Sequence, residues 1–243
     1  MRFVPVLIMV LGVLLAPVAS RAGDAATLEI LGFSADGGIF AFEEYGVQDG
    51  SGFPYSDRFY LDTANDRFLP GTPIRVRLES ESATVEQARA ESRKKSQTVI
   101  ADSVLAANRG FTAGANAVTE LSADPHRMAV NPRPVFAPID PPLEFRVEEY
   151  PVVPPEVCGD GNEIKGFRLL MVPVEDGATV RLLHEDRRIP QSRGCPLGYA
   201  IGAVQTFFGD SGPLVFAVLV AVRGMGFEGP DHRWIAIPGR IGN

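Results

Sequence analysis

Three groups of residues in this 243-residue chain have types and spacings that could do chemistry. The first is Gly209-Asp210-Ser211-Gly212-Pro213-Leu214-Val215, where a serine between small residues could act as a nucleophile. Such a serine needs a histidine to take its proton and backbone amides to hold the oxyanion. The second group comprises the three histidines and their acidic neighbours: Asp124 with His126, His184-Glu185-Asp186, and Asp231-His232. Carboxylates and imidazoles together can ligate zinc or a harder cation. None has the spacing of a metal motif, such as two histidines one helical turn apart, so solvated turns or strand-end ion pairs account for them better. The third is the loop Gly46 to Ser56, which sets Phe53 and Tyr55 among glycines and a proline beside the acidic pair Glu43-Glu44. Aromatics in such a loop can form a platform for sugar rings or peptide chains. Equally, Phe53 can fold back to cover a sheet edge. No pattern calls for a cofactor.

The elements that must position these residues are mainly strands. Short β-branched and aromatic runs alternate with turn signals, and Asp-Gly occurs at 36–37, 49–50, 160–161 and 176–177, a dipeptide suited to tight hairpins. Strands are expected near 27–34, 38–46, 58–63, 73–79, 143–150, 164–174, 178–185, 199–208, 214–222 and 232–237. From Ser82 to Asn108 there is neither Gly nor Pro, with Ser82 as an N-cap and Gly110 placed to end a helix. One long α-helix is expected over 82–108, packed at its ends and solvated in the middle, with Arg93-Lys94-Lys95 on a wet face. Nine prolines between 125 and 156 mark a stretch that wraps the surface or joins two β lobes. The fold class is mainly antiparallel β, sandwich-like or partial-propeller-like. The exported domain spans 23–243, with a subdivision into lobes 23–80 and 143–243 left open.

The chain also resembles itself. Phe33-Ser-Ala-Asp36-Gly-Gly38-Ile-Phe40-Ala41 is similar to Phe207-Phe-Gly-Asp210-Ser-Gly212, then Val215-Phe216-Ala217 after two inserted residues. Gly52-Phe53 and Asp57-Arg58-Phe59-Tyr60 have counterparts in Gly226-Phe227 and His232-Arg233-Trp234-Ile235. Each copy reads as a three-stranded meander of the kind used in propeller blades and sandwiches. This bears on Ser211. Its segment resembles the nucleophile segment of chymotrypsin-like serine proteases, Gly-Asp-Ser-Gly-Gly-Pro-Leu-Val, but lacks one glycine, and no histidine sits in that family's Ala-Ala-His-Cys setting. Its counterpart in the first copy is Gly37, so Asp210-Ser211-Gly212 reads as a hairpin turn and no catalytic residue is assigned.

Residues 1–22 read as a cleavable signal peptide. Met1-Arg2 is a short positive region, and Phe3 to Leu15 is apolar apart from Pro5 and Gly12. These 13 residues fall short of the roughly 20 needed to span a bilayer. Ser20 and Ala22 occupy the −3 and −1 positions of a cut before Gly23. The remaining 221 residues carry 21 basic and 30 acidic side chains, a net charge of −9 that argues against nucleic acid as a partner. Leu214 to Val222 is too short to cross a membrane and reads as a buried strand, so no stable membrane insertion is expected after cleavage. In an oxidising compartment the two cysteines, Cys158 and Cys195, are expected to form a disulfide, with two buried free thiols as the alternative. Closing that 37-residue loop would stabilise the fold by roughly 4 kcal/mol.

Four segments carry a wider resemblance: LEILGFSADGGIFAFEEYGVQDGSGFPYS at 28–56, NRGFTAGANAVTELSADPHRM at 108–128, EIKGFRLL at 163–170 and IPQSRGCPLGYAIGAVQTF at 189–207. On these the chain resembles a family of bacterial predicted secreted proteins, domain of unknown function 2259. The resemblance implies an exported bacterial protein of the same layout and carries no activity or site residue with it. The Phe-Ser-x-Asp-Gly segment also resembles the blade-opening hairpin of periplasmic propeller repeats. The expected function is therefore that of a periplasmic or secreted non-enzymatic protein that binds another envelope component. The alternative is an exported hydrolase or metal-dependent enzyme whose site forms only in the fold. A pocket holding two of the three histidines with a carboxylate would favour the enzyme, and their scatter would favour binding. On export the chain is expected to begin near Gly23, which N-terminal sequencing of the exported protein checks; an intact Met1 on membrane-bound protein would contradict it.

Overall fold

A strand that is apolar at every position needs cover on both faces. Residues 214–222, the greater part of the strand Leu214–Met225, are apolar throughout, and the three sheets of the computed structural model are arranged around them. The structure describes residues 23–80, 82–159, 161–173, 179–209 and 213–241. The first sheet holds β1 (Thr27–Phe33), β2 (Ile39–Val47) and β3 (Pro54–Asp62), with β4 (Arg67–Phe68) and β5 (Ile74–Arg77) both on the outer edge of β3. Helices α1 (Val85–Ser96) and α2 (Asp102–Ala107) follow, then β6 (Phe111–Ala115). The second sheet is a meander of β7 (Arg127–Val130), β8 (Leu143–Pro151), β9 (Lys165–Val172) and β10 (Arg181–Glu185). The third contains β11 (Pro196–Phe208), β12 (Leu214–Met225) and β13 (Pro230–Ile241), with β6 added beside β11. The strands pair antiparallel within each sheet, as expected.

Alternation along β12 sets the layers. Phe216, Val218, Val220 and Val222 join a core with Phe145, Phe167 and Leu169 of the second sheet. Val215, Ala217, Leu219 and Ala221 join a different core with Phe33, Phe42 and Phe59 of the first. The third sheet is thus the middle layer of three, and each covering sheet turns one apolar face inward. The disulfide is present: Cys158, in a 3-10 turn after β8, is bonded to Cys195 just before β11.

Both copies of the internal likeness fold as meanders, β1-β2-β3 and β11-β12-β13, and they pack face to face. Counterparts touch. Phe33 stacks on Phe207 with ring centroids 5.1 Å apart, and the Asp49 carboxylate accepts the Glu228 amide at 2.7 Å. In the first copy Asp36 accepts hydrogen bonds from Ser34 Oγ and the Gly38 amide, making the expected tight turn. Asp210, Ser211 and Gly212 lie outside the described residues, as do 1–22, Asp160 and the Asp176-Gly177 pair.

The helical segment departs from expectation. In place of one long helix there are two short ones, and the first is capped by Thr84, whose hydroxyl and Gln87 form a reciprocal capping box. The break follows from Val99 and Ile100, which leave the helix to pack beside Tyr60 and Leu105. Nor is the middle of α1 solvated. Ala88, Ser92 and Ser96 are buried against the outer face of the first sheet, while Arg93, Lys94 and Lys95 face solvent. The proline-rich stretch holds one strand more than expected, since β7 precedes the expected strand near 143–150, which is β8.

The seam between α1 and the first sheet is polar. Ser56 and Ser92 share a hydrogen bond of 2.6 Å, and Ser56 donates to Glu43 at 2.9 Å. Arg89 Nε donates to Glu43 at 2.9 Å and also reaches Glu29. Arg58, fully buried, donates to Ser96 and to Asp102 on α2. Glu43 is 2% exposed, and the cation paired with it is Arg89. Arg89→Ala is expected to cost about 3 kcal/mol by stranding that buried carboxylate. Lys95→Ala, which removes an exposed pair with Glu91, should stay within about 0.5 kcal/mol. Urea denaturation of the two variants checks the difference.

Candidate functional site

The register of β2 on β3 sets Phe42 opposite Phe59 and Glu44 opposite Asp57. Because side chains alternate with a period of two, all four stand on the same face, the one turned toward the middle sheet. Phe42 and Phe59 are stacked with centroids 4.5 Å apart and planes within 6°. One step along each strand the apolar rows end in carboxylates. There the sheets enclose a cavity of about 510 Å³. Its walls are these four residues with Leu61, the turn and strand Asp66–Phe68, Trp234–Ile237 of β13, and His184 and Arg193 from the second sheet's side.

Trp234 is the roof. Its indole lies over Gly202 of β11, where an added Cβ would come within 2.2 Å of the ring, and its Nε1 donates to the Ala26 carbonyl at 2.9 Å. Its backbone amide donates to Glu44 Oε2 at 2.7 Å. Glu44 is 4% exposed, and burial pushes its carboxyl up to about 7, with Asp57 adding to the rise and the Trp234 amide opposing it. Burial likewise raises Asp57, to about 6, against the pull of Arg75, whose Nε lies 3.3 Å from it. Arg233 is held by Asp24 at 2.7 Å and lies over the Tyr55 ring. A shallower groove lined by Gln48, Tyr55, Arg77 and Glu79 continues the cavity, sharing Asp57, Arg75 and Arg233 with it.

A family model matches residues 41–240, a span that contains Glu44, Asp57 and Trp234. The chain belongs to that family, described as Predicted secreted protein (DUF2259). Secretion thus stands beside the fold, and among the described residues no helix is long and apolar enough to cross a membrane. No curated protein and no solved structure matches the chain.

In this member of the family the three histidines lie apart. His184 lines the cavity, stacked on Phe167, with Nε2 3.1 Å from Asp186 and Nδ1 3.7 Å from Asp66. Burial alone would lower its pKa, but the bonds to Asp186 and Asp66 outweigh it and raise it. His126 instead meets the Tyr199 carbonyl at 3.1 Å and Glu149 at 3.5 Å. His232 pairs across β13 with Arg223, and burial lowers its pKa. Glu185 is paired with Arg168. Among the described residues no group of three or more His, Cys, Asp or Glu is placed to hold a metal. Of the aromatic loop, Phe53 is half-buried and Tyr55 lies within β3, 7% exposed. The exposed ring is the counterpart of Phe53, Phe227, 81% exposed and set over Gly50.

Sequence reasoning named Glu44 only as part of an acidic pair and missed Asp57 and Trp234 as partners. The signal was present in Phe42-x-Glu44 and Asp57-x-Phe59, mirror-image pairs that oppose each other once a hairpin joins them.

Both carboxyls have folded pKa values above those of the unfolded chain, so between pH 4.5 and about 7 the folded state keeps protons that the unfolded state releases. Their contribution is full in acid and is lost as pH rises through about 7. For Glu44 the loss is about 3 kcal/mol. Urea unfolding from about pH 5 to 8 is expected to report falling stability, and Glu44→Gln should remove roughly half of the slope. An unchanged slope in the variant would contradict this assignment.

Proposed function

We propose that this secreted protein binds a small amphipathic molecule of the cell envelope or its surroundings in the cavity beneath Trp234. The observation that carries the reading is the juxtaposition of an aromatic wall, Phe42, Phe59, Phe68 and Trp234, with two adjacent carboxyls in one open-mouthed cavity. Ligand sites are concave and mostly apolar, with a few polar groups that fix orientation, and this cavity has that make-up at a suitable volume. The scatter of the histidines supports binding over hydrolysis.

Trp234 is the only tryptophan, so fluorescence reports on this site directly. An uncharged hydrophobic probe, N-phenyl-1-naphthylamine, is expected to bind one to one and to quench Trp234 by energy transfer. Gly224 lines the cavity, and an added Cβ there has its nearest neighbour 3.9 Å away. Gly224→Phe is therefore expected to put bulk into the cavity and weaken the probe at least tenfold, with circular dichroism checking that the fold is retained. Probe binding without quenching, or full affinity in the variant, would overturn the reading.

A further inference from the structure

We infer that the ligand of this cavity is a hydrophobic organic cation, an alkyl- or arylammonium whose charge sits against Glu44 and whose apolar body lies on Phe42, Phe59 and Trp234; this rests on the binding reading above. The argument is one of charge already spent. Arg75 is paired with Asp57, Arg233 with Asp24 and Arg193 with Asp186, and Arg67, whose side chain is 70% exposed, reaches toward Asp62. Glu44 has no cation within ion-pair distance among the described residues. Its Oε2 takes the Trp234 amide, and its Oε1 receives no hydrogen bond from the described residues while the side chain lines the cavity. What the cavity lacks is a positive group at that oxygen.

The surroundings suit a cation of low hydration. Ammonium groups are drawn to aromatic faces as well as to carboxylates, and desolvation strengthens that attraction. Here the stacked Phe42–Phe59 pair stands directly beside the Glu44–Asp57 pair on the same sheet face, and Trp234 lines the same cavity. A ligand carboxylate at the same place would meet Glu44 and Asp57, while Arg75, Arg193 and Arg233 of the lining are already paired with Asp57, Asp186 and Asp24. An uncharged ligand could use the aromatic wall but would leave Glu44 unanswered.

The test compares three ligands with one tail: octyltrimethylammonium, 1-octanol and octanoate, each displacing the naphthylamine probe below its micellar concentration. The cation is expected to bind at least tenfold more tightly than the other two. Glu44→Gln keeps an acceptor for the Trp234 amide and should cost the cation at least tenfold while leaving octanol unchanged. Asp57→Asn gives the same comparison if the first variant does not fold. Should octanol or octanoate match the cation, or the preference survive both variants, the cationic ligand is wrong and the binding cavity stands. Failure of all three ligands and of the probe would remove both.

Discussion

The architecture depends on one constraint, the burial of β12 on both faces. Val215 to Val222 are apolar throughout and have no solvent side, so the strand can exist only between two covering layers. The covering sheets meet that need with aligned apolar rows, and the cavity opens where the rows stop. On β2 the inward row runs Phe40, Phe42, Glu44, and on β3 it runs Leu61, Phe59, Asp57. Both lose their apolar character at the same level because the hairpin sets them in register. Carboxyls cannot be pressed dry against Val and Ala without a large desolvation cost. The layers therefore part there, and Trp234 spans the opening.

The first sheet is built differently on its two faces. Inward it offers phenylalanines to the middle sheet, which attract without fixing a position. Outward it offers Glu43, Ser56 and Arg58 to helices that answer with Arg89, Ser92, Ser96 and Asp102. Ion pairs of this kind add little net stability but penalise every misplaced arrangement. Gly32 shows how closely the fit is drawn, since a Cβ there would lie 2.1 Å from the Leu105 carbonyl of α2. The serines of α1 leave no room for a sliding apolar contact, which accounts for a helix with a weak apolar stripe docking all the same.

Much of the fold was legible in local chemistry. Alternation, Asp-Gly turns and the unbroken apolar run gave most strands and the buried one, and the cysteine pair gave the disulfide. The long helix was misread because the absence of Gly and Pro was given more weight than the β-branched run Thr98-Val99-Ile100, whose low helix propensity and tertiary contacts break the helix there. Strands β6 and β7 were missed because Phe111–Ala115 and Arg127–Val130 are short and take their pairing from distant partners, β11 and β8. The site was only half legible. Adjacency of Glu44 and Asp57 follows from a hairpin register, but the roof comes from β13, which no local pattern links to β2.

The roof also joins two segments that lie far apart along the chain. Asp24 and Ala26 exchange backbone hydrogen bonds with His232, and the Asp24 amide donates to Asp231, 207 residues away. In a polypeptide secreted from its N-terminal side, residues 24–26 emerge well before β13, and so do both covering sheets. The strand that carries Trp234 therefore reaches the cavity after the walls it joins. The chamber is complete only once secretion has delivered both sides of this seam to the same compartment.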